Sequence, residues 1–419
     1  MTVIDRVNAK IEEERKGMSK TYMNDSLGDT LNKDCQEIVS RWMRIVDFKM
    51  VGIEKYKMCD KKIGPSKALQ VMLTDYARAW TEKSMTVKKL AKKQEAELKR
   101  EFDRALDDMI GGFVKETANK VKFNNSSHVN LISFLELLLQ RPATELEVAV
   151  LSHSLWQVKR KLNGLPVTDH IWLNIYAKQK TGKSNWFRTL FKPVSGIVWN
   201  SDIGQLVDER NVSSFQNYFI SFNDELAKAE TKKDSETLKK VITGDEATFR
   251  PLFTNRNEEV VNNLTFFSAS NVRISDALGD PTGMRRFFEI DNLAPRNPRK
   301  VVSEMFAMSE HDILSIWRSI DEGRGDGYVC DIMEELEEKQ IELIPETPLD
   351  RWFNDTQLKG WMSCADVLAS VQEYFRTKEG IDRVTQASIG RFLRGKGFGS
   401  EVRSCDNEGR AVPIRGYMF

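Results

Sequence analysis

The chain has 419 residues, enough for roughly two to four domains. Its 63 basic and 62 acidic residues leave a net charge of +1, so any nucleic-acid surface must be local. Five cysteines without close spacing and four histidines without a ligand pattern argue against a disulfide framework and a zinc site. No apolar run approaches the roughly 18–20 residues of a membrane span, and the first residues lack a signal-peptide segment. We therefore expect a cytoplasmic protein without membrane contacts.

The first two predicted regions are helical. Residues 1–80 are polar, and we predict a mostly helical region without recognisable chemistry. In residues 81–164, apolar residues recur at three- to four-residue steps from Thr86 to Phe113, and helical patterns cover Val129–Leu139 and Glu145–Leu162. These helices are either an oligomerisation collar or a plain helical bundle, and the sequence leaves both interpretations open.

Residues 165–330 alternate short apolar strands with helical segments, which predicts an α/β domain with a parallel sheet. The predicted strands are Ile171–Tyr176, Gly196–Trp199, Tyr218–Phe222 and Leu264–Ser268. Because a helix N-terminus and loop N–H groups suit a phosphate chain, the segment after the first strand is a candidate P-loop with alanine replacing its first glycine. It consists of Ala177, Lys178, Gln179, Lys180, Thr181, Gly182, Lys183, Ser184 and Asn185.

This loop predicts ATP and Mg²⁺ as cofactors. Lys183 would reach the β- and γ-phosphates, and the Ser184 hydroxyl would hold Mg²⁺. A chance match is the alternative, since Gly-Lys-Ser is a common tripeptide. The apolar strand before the loop and the helical pattern after it favour nucleotide binding.

Further candidate catalytic residues follow in an informative order. Asp224 and Glu225 end an apolar strand, as in a Walker B motif, where Asp224 would hold Mg²⁺ and Glu225 would act as general base. A simple strand-to-helix cap is the alternative. Asn271 ends the next strand and would sense the nucleotide state. Arg285 and Arg286 precede another apolar strand and would stabilise the transition-state charge in a neighbouring subunit.

The C-terminal part has a different pattern. Residues 331–347 are acidic and predict a helix and linker. Residues 348–419 predict two helices and a hairpin, the order of a winged helix, and the second helix presents basic residues that suit DNA. These are Arg391, Arg394 and Lys396. A winged helix used for protein contacts is the alternative.

Residues from about 145 to 295 resemble the virulence-associated E family, a branch of the superfamily 3 helicases. The matching motifs are Ala177 to Ser184, Asp224-Glu225, Lys239/Lys240 with Thr243-Gly244-Asp245, Asn271, and Gly283 to Phe287. The resemblance implies an AAA+-like hexameric ring that unwinds DNA from 3′ to 5′ at the origin of a phage, prophage or satellite mobile element.

The resemblance also implies sites for DNA. Lys239 or Lys240 would match the family lysine, and Thr248–Asn262 would form a pore hairpin that grips single-stranded DNA through Arg250 and Arg256. The family's primase domain is not recognisable here, so priming is not predicted.

Three functions fit these observations. The first is a replicative helicase that contacts single- and double-stranded DNA. The second is a DNA-bound AAA+-type switch or loader that recruits or blocks host or phage replication proteins without unwinding. The third is an interference factor with a relict P-loop, which the complete set of motifs argues against. The basic residues of the predicted hairpin favour the helicase over the switch.

Overall fold

The computed structural model divides the chain into two compact units, Met1–Leu343 and Ile344–Phe419. Within the described parts, no helix is long and apolar enough to cross a membrane. The structure describes residues 31–58, 61–81, 88–226, 232–249, 257–278, 284–292, 297–342, 347–356, 358–379, 384–407 and 410–419.

The first described region is mostly helical and also contains a small antiparallel sheet, which the sequence did not predict. Strands β1, β2 and β3 pair in chain order. Tyr56 of β2 packs in a core with Trp42, Phe48 and Phe102, and several strand lysines are exposed, among them Lys49, Lys55, Lys61 and Lys62. The elements are α1 (Leu31–Ile45), β1 (Lys49–Gly52), β2 (Lys55–Met58), β3 (Lys61–Ile63) and α2 (Pro65–Thr81).

One long helix links this core to the large one, and two further helices pack in the large core. Helix α3 (Lys88–Val121) is shared, because Leu98 packs in the N-terminal core while Val121 packs in the main core. Helices α4 (Val129–Leu139) and α5 (Glu145–Leu162) have the bounds that the sequence predicts. A capping box formed by Thr144 and Glu147 begins α5.

A five-stranded parallel sheet is the centre of the first unit and confirms the predicted α/β class. Its strand order is β10-β4-β9-β6-β5, so β9 lies between the strand that precedes the P-loop and the strand that ends in Asp224. The strands are β4 (Trp172–Tyr176), β5 (Val198–Asn200), β6 (Ile220–Asp224), β9 (Thr265–Ser270) and β10 (Phe287–Asp291).

The helix after the P-loop, α6 (Lys183–Leu190), is fixed by aromatic residues. The Trp186 ring stacks on Phe134 of α4 at 4.8 Å, and its Nε1 donates to the Phe134 carbonyl at 2.8 Å. At the C-terminal end of α6, Trp317 Nε1 donates to the Leu190 carbonyl at 2.8 Å. Because the middle and the C-terminal end of the helix are held, the direction of the helix is fixed.

The remaining elements of the first unit surround the sheet. A hairpin, β7 (Glu246–Phe249) with β8 (Glu258–Val261), projects from it. Short 3-10 helices cover Lys192–Ile197, Glu209–Gln216, Met284–Arg286 and Cys330–Ile332. The α-helices are α7 (Ile203–Val207), α8 (Lys232–Thr243), α9 (Ile274–Leu278), α10 (Pro298–Ala307), α11 (Glu310–Arg318) and α12 (Met333–Glu342).

The second unit has its own core, in which Trp352 is fully buried. Ser363 caps α14 by accepting a hydrogen bond from the Asp366 N–H. The three strands form an antiparallel sheet of order β11-β13-β12. The elements are α13 (Pro348–Asp355), β11 (Trp361–Ser363), α14 (Cys364–Tyr374), a π-helical turn (Phe375–Glu379), α15 (Gln386–Gly395), β12 (Ser400–Asn407) and β13 (Arg410–Met418).

Candidate nucleotide-binding site

The P-loop leaves the carboxyl end of β4 and ends at the first residue of α6. Its start is tied to the sheet, because the Ala177 N–H donates to the Ser270 carbonyl at 3.0 Å. Lys180 and Gly182 have positive φ angles of 64° and 94°. A Cβ on Gly182 would stand 3.1 Å from Cγ2 of Val302, so both conformation and space favour glycine there.

Lys183 lies within the loop. Its Nζ donates to the carbonyl oxygens of Ala177 at 2.6 Å and Lys178 at 3.0 Å. Burial lowers the pKa of Lys183, and the nearby carboxylates of Asp224 and Glu225 oppose this shift. The ammonium group is therefore held where a phosphate chain would meet the loop.

Asp224, the last residue of β6, faces α6 across the site. Its Oδ1 accepts a hydrogen bond from the Ser184 hydroxyl, and its Oδ2 lies 2.5 Å from a guanidinium nitrogen of Arg188. Arg188 was not predicted to be a site residue. It lies one helical turn after Ser184, so the two side chains share one face of the helix, and this spacing could have identified it.

Glu225 directly follows the strand in a left-handed conformation, with φ of 79°. Its N–H donates to the Ala269 carbonyl at 2.9 Å, so the turn is fixed to β9. Such a conformation is unusual for a residue other than glycine and is found preferentially at functional sites.

A cavity of about 340 Å³ lies between the P-loop and these carboxylates, within the size range of small-ligand sites. Its position at the carboxyl ends of parallel strands is where open α/β sheets bind ligands. The lining residues are Lys180, Thr181, Gly182, Lys183, Ser184, Asn185, Arg188, Asp224 and Glu225.

The oxygen donors suit Mg²⁺. Ser184 Oγ and the Asp224 carboxylate are in direct contact and face the cavity. Mg²⁺ in phosphate sites typically uses one or two protein oxygens together with phosphates and water. Among the residues that the structure describes, no group of three or more His, Cys, Asp or Glu side chains could hold a metal.

Asn271 follows β9, between the strands that lead to the P-loop and to Glu225. Its side chain is exposed and is not among the cavity residues. Ser270 stabilises the turn, because its hydroxyl accepts from the Val272 N–H at 2.9 Å. The structure thus places Asn271 at the correct edge of the sheet without a direct contact to the cavity.

Arg285 and Arg286 lie at the opposite edge. They precede β10, whose first residue, Phe287, pairs with Trp172 at the start of β4. Five strand residues separate them from the P-loop edge, roughly 16 Å at 3.3 Å per residue. Arg285 is exposed, whereas Arg286 is half-buried. Neither arginine lines the cavity of its own chain.

The two lysines that were candidates for DNA binding differ in exposure. Lys239 is only 8% exposed, whereas Lys240 on the same helix is exposed. Arg250 and Arg256 lie outside the described residues. The base of their hairpin is described, and its Glu246 and Glu259 are exposed.

In the second unit, all three predicted basic residues are exposed: Arg391 and Arg394 lie on α15, and Lys396 directly follows it. Lys396 already pairs with Asp350 at 2.9 Å, and Arg394 Nε donates to the Gly390 carbonyl at 3.1 Å. Arg391 is exposed near the middle of the helix.

The fold is that of an α/β protein with a five-stranded parallel sheet and a cavity at the carboxyl ends of its strands. A family model described as the virulence-associated protein E-like domain matches residues 119–342, more than half of the chain. The chain belongs to this family, as its motifs predicted. No curated protein sequence gives a significant match.

Solved structures of the C-terminal region of NrS-1 are similar to the chain. An apo structure shares 14% identity, covers 92% of this chain and 99% of that chain, and has a TM-score of 0.51. An apo structure described as the A form shares 16% identity, covers 71% of this chain and 77% of that chain, and has a TM-score of 0.45. At these identities the similarity concerns the fold.

Proposed function

We propose that the protein is an ATP-dependent DNA helicase of the superfamily 3 type that acts in the replication of a phage, prophage or satellite mobile element. The observation that carries this proposal is the contact of Ser184 and Asp224 across the cavity, with Lys183 and Glu225 at its wall. Membership of the virulence-associated E-like family supports the same activity class.

The chemistry follows from the position of each group. Lys183 and the loop N–H groups would bind the phosphates, and Ser184 and Asp224 would hold Mg²⁺, which neutralises charge on the transferred phosphoryl group. Glu225 would accept a hydrogen bond from the attacking water and orient it towards the γ-phosphate. Asn271 would report the state of that phosphate to β9.

An assembly of several copies, such as a homo-hexamer, would complete the site. The cavity contains Lys183 and Arg188 from its own chain, and Arg285 lies exposed at the far edge of the sheet. In a ring of head-to-tail subunits, the Arg285 edge of one copy would face the cavity of the next. An arginine placed there would stabilise charge that develops during hydrolysis.

Two surfaces would contact DNA. The hairpin that continues from β7 and β8 would grip single-stranded DNA in the pore, with Lys240 nearby in sequence on α8. In the second unit, two helices are followed by a hairpin, which is the order of a winged helix. Helix α15 would therefore contact duplex DNA through Arg391 and Arg394. Phosphate contacts in the pore would be independent of sequence.

The direct test is strand displacement on a fork with a 3′ tail. Wild-type protein with ATP should release the displaced strand, whereas Glu225→Gln should bind ATP and release none. ATP hydrolysis by wild type without displacement on either tail polarity would contradict the helicase and favour a DNA-bound switch or loader.

A further inference from the structure

Arg188 occupies an unexpected place in the cavity. It lines the same space as Lys183 and Ser184, and its guanidinium nitrogen lies 2.5 Å from Asp224 Oδ2. Ser184 already donates to Oδ1 of the same carboxylate. Both oxygens of Asp224 are therefore engaged by side chains of α6 in the structure.

This arrangement conflicts with metal binding at Asp224. A divalent cation needs a carboxylate oxygen, directly or through water. A guanidinium group at Oδ2 competes for that oxygen and repels the cation. Metal binding in the proposed site therefore requires Arg188 to leave Asp224.

The displaced side chain has a destination in the same cavity. Arg188 is on the solvent side, with 61% of its side chain exposed, whereas Asp224 is 31% exposed, so the arginine can move while the carboxylate stays on its strand. A bound phosphate chain would offer several anionic oxygens, which guanidinium groups bind in a bidentate manner.

We propose that Arg188 is a positioning residue that couples metal binding to nucleotide binding. This inference rests on the proposed function. Without nucleotide, Arg188 pairs with Asp224 and keeps free metal ions out. When a nucleotide triphosphate enters, Arg188 transfers to the phosphates and Asp224 becomes available to the ion that arrives with them. Metal alone then binds weakly, and metal with nucleotide binds tightly.

The test measures binding rather than turnover. Mn²⁺ is titrated calorimetrically into the full chain without nucleotide, for wild type, Arg188→Gln and Arg188→Lys. Because the lost competitor is a partly exposed ion pair, Arg188→Gln should bind Mn²⁺ about fivefold more tightly than wild type. Arg188→Lys keeps the charge and should stay within about twofold of wild type.

A second titration uses Mg²⁺ with a non-hydrolysable ATP analogue. Here Arg188→Gln should bind about tenfold more weakly, because the phosphates lose a charged partner. Arg210→Gln is the matched control: Arg210 pairs with Asp208 at 2.7 Å and does not line the cavity, so both affinities should equal those of wild type.

Two results would overturn the inference, and they are distinguishable. If Arg188→Gln binds Mn²⁺ and the analogue as wild type does, Arg188 has no coupling role while the nucleotide site stands. If wild type itself binds no nucleotide, the proposed function fails and the inference fails with it.

Discussion

The two edges of the five-stranded sheet carry basic residues in different states. At the carboxyl edge, Lys183 is held by two loop carbonyls and Arg188 by Asp224. At the amino edge, Arg285 is exposed, and the buried Nε of Arg286 has no hydrogen-bond partner among the described residues. Under the proposed function, the cations that serve their own copy are held by fixed partners, whereas the cation that would serve a neighbouring copy is exposed.

The largest expected effect is at the carboxyl edge. Lys183→Ala removes the buried ammonium group of the phosphate site, and ATP turnover should be abolished, a loss of more than about a thousandfold. Steady-state phosphate release measures this. Lys192→Ala is the control, since Lys192 is exposed and outside the cavity. Turnover of Lys183→Ala near the wild-type rate would remove the P-loop assignment.

Substitutions at the amino edge should lower ATP hydrolysis without changing nucleotide affinity. Arg285→Ala should keep nucleotide affinity and lose hydrolysis that depends on protein concentration, by as much as about a thousandfold for an arginine that acts in trans. Arg286→Ala should have the smaller effect on catalysis, because Arg286 is half-buried. If a variant with both substitutions, Arg285→Ala and Arg286→Ala, hydrolyses ATP at the wild-type rate, this edge has no role in hydrolysis.

The smallest expected effect concerns DNA. Lys240→Ala should leave basal ATP hydrolysis unchanged and weaken its stimulation by single-stranded DNA. The slope of the logarithm of the DNA-binding constant against the logarithm of the salt concentration should fall by about one unit. Lys239→Ala is the informative comparison, because the buried Lys239 should affect stability more than DNA affinity. Equal DNA coupling in wild type and Lys240→Ala would exclude Lys240 from the DNA path.

The sequence predicted the parts of this fold that have strong local signals. The short apolar strands were predicted correctly, because both faces of a parallel sheet are buried and its strands are therefore apolar throughout. The bounds of α4 and α5 also followed from the spacing of their apolar residues. The family followed from motif order, and the family match confirms it.

The missed features depend on distant contacts or weak patterns. Strands β1 to β3 are short and rich in lysine, so they contain too few residues for an alternation of apolar and polar side chains to be recognised. Arg188 was missed because its partner, Asp224, is 36 residues away in sequence. The buried state of Lys239 depends on how α8 packs, which two adjacent lysines in a sequence do not reveal.

The central claim is that residues at the carboxyl edge of the sheet hydrolyse the nucleotide, while an arginine at the amino edge acts in the cavity of a neighbouring copy. Mixing two inactive variants tests it most directly: Arg285→Ala retains an intact cavity, and Glu225→Gln retains an intact arginine. If the arginine acts in trans, mixed assemblies contain complete sites, and the mixture should hydrolyse ATP faster than the sum of the separate variants. A mixture no faster than that sum would contradict the claim.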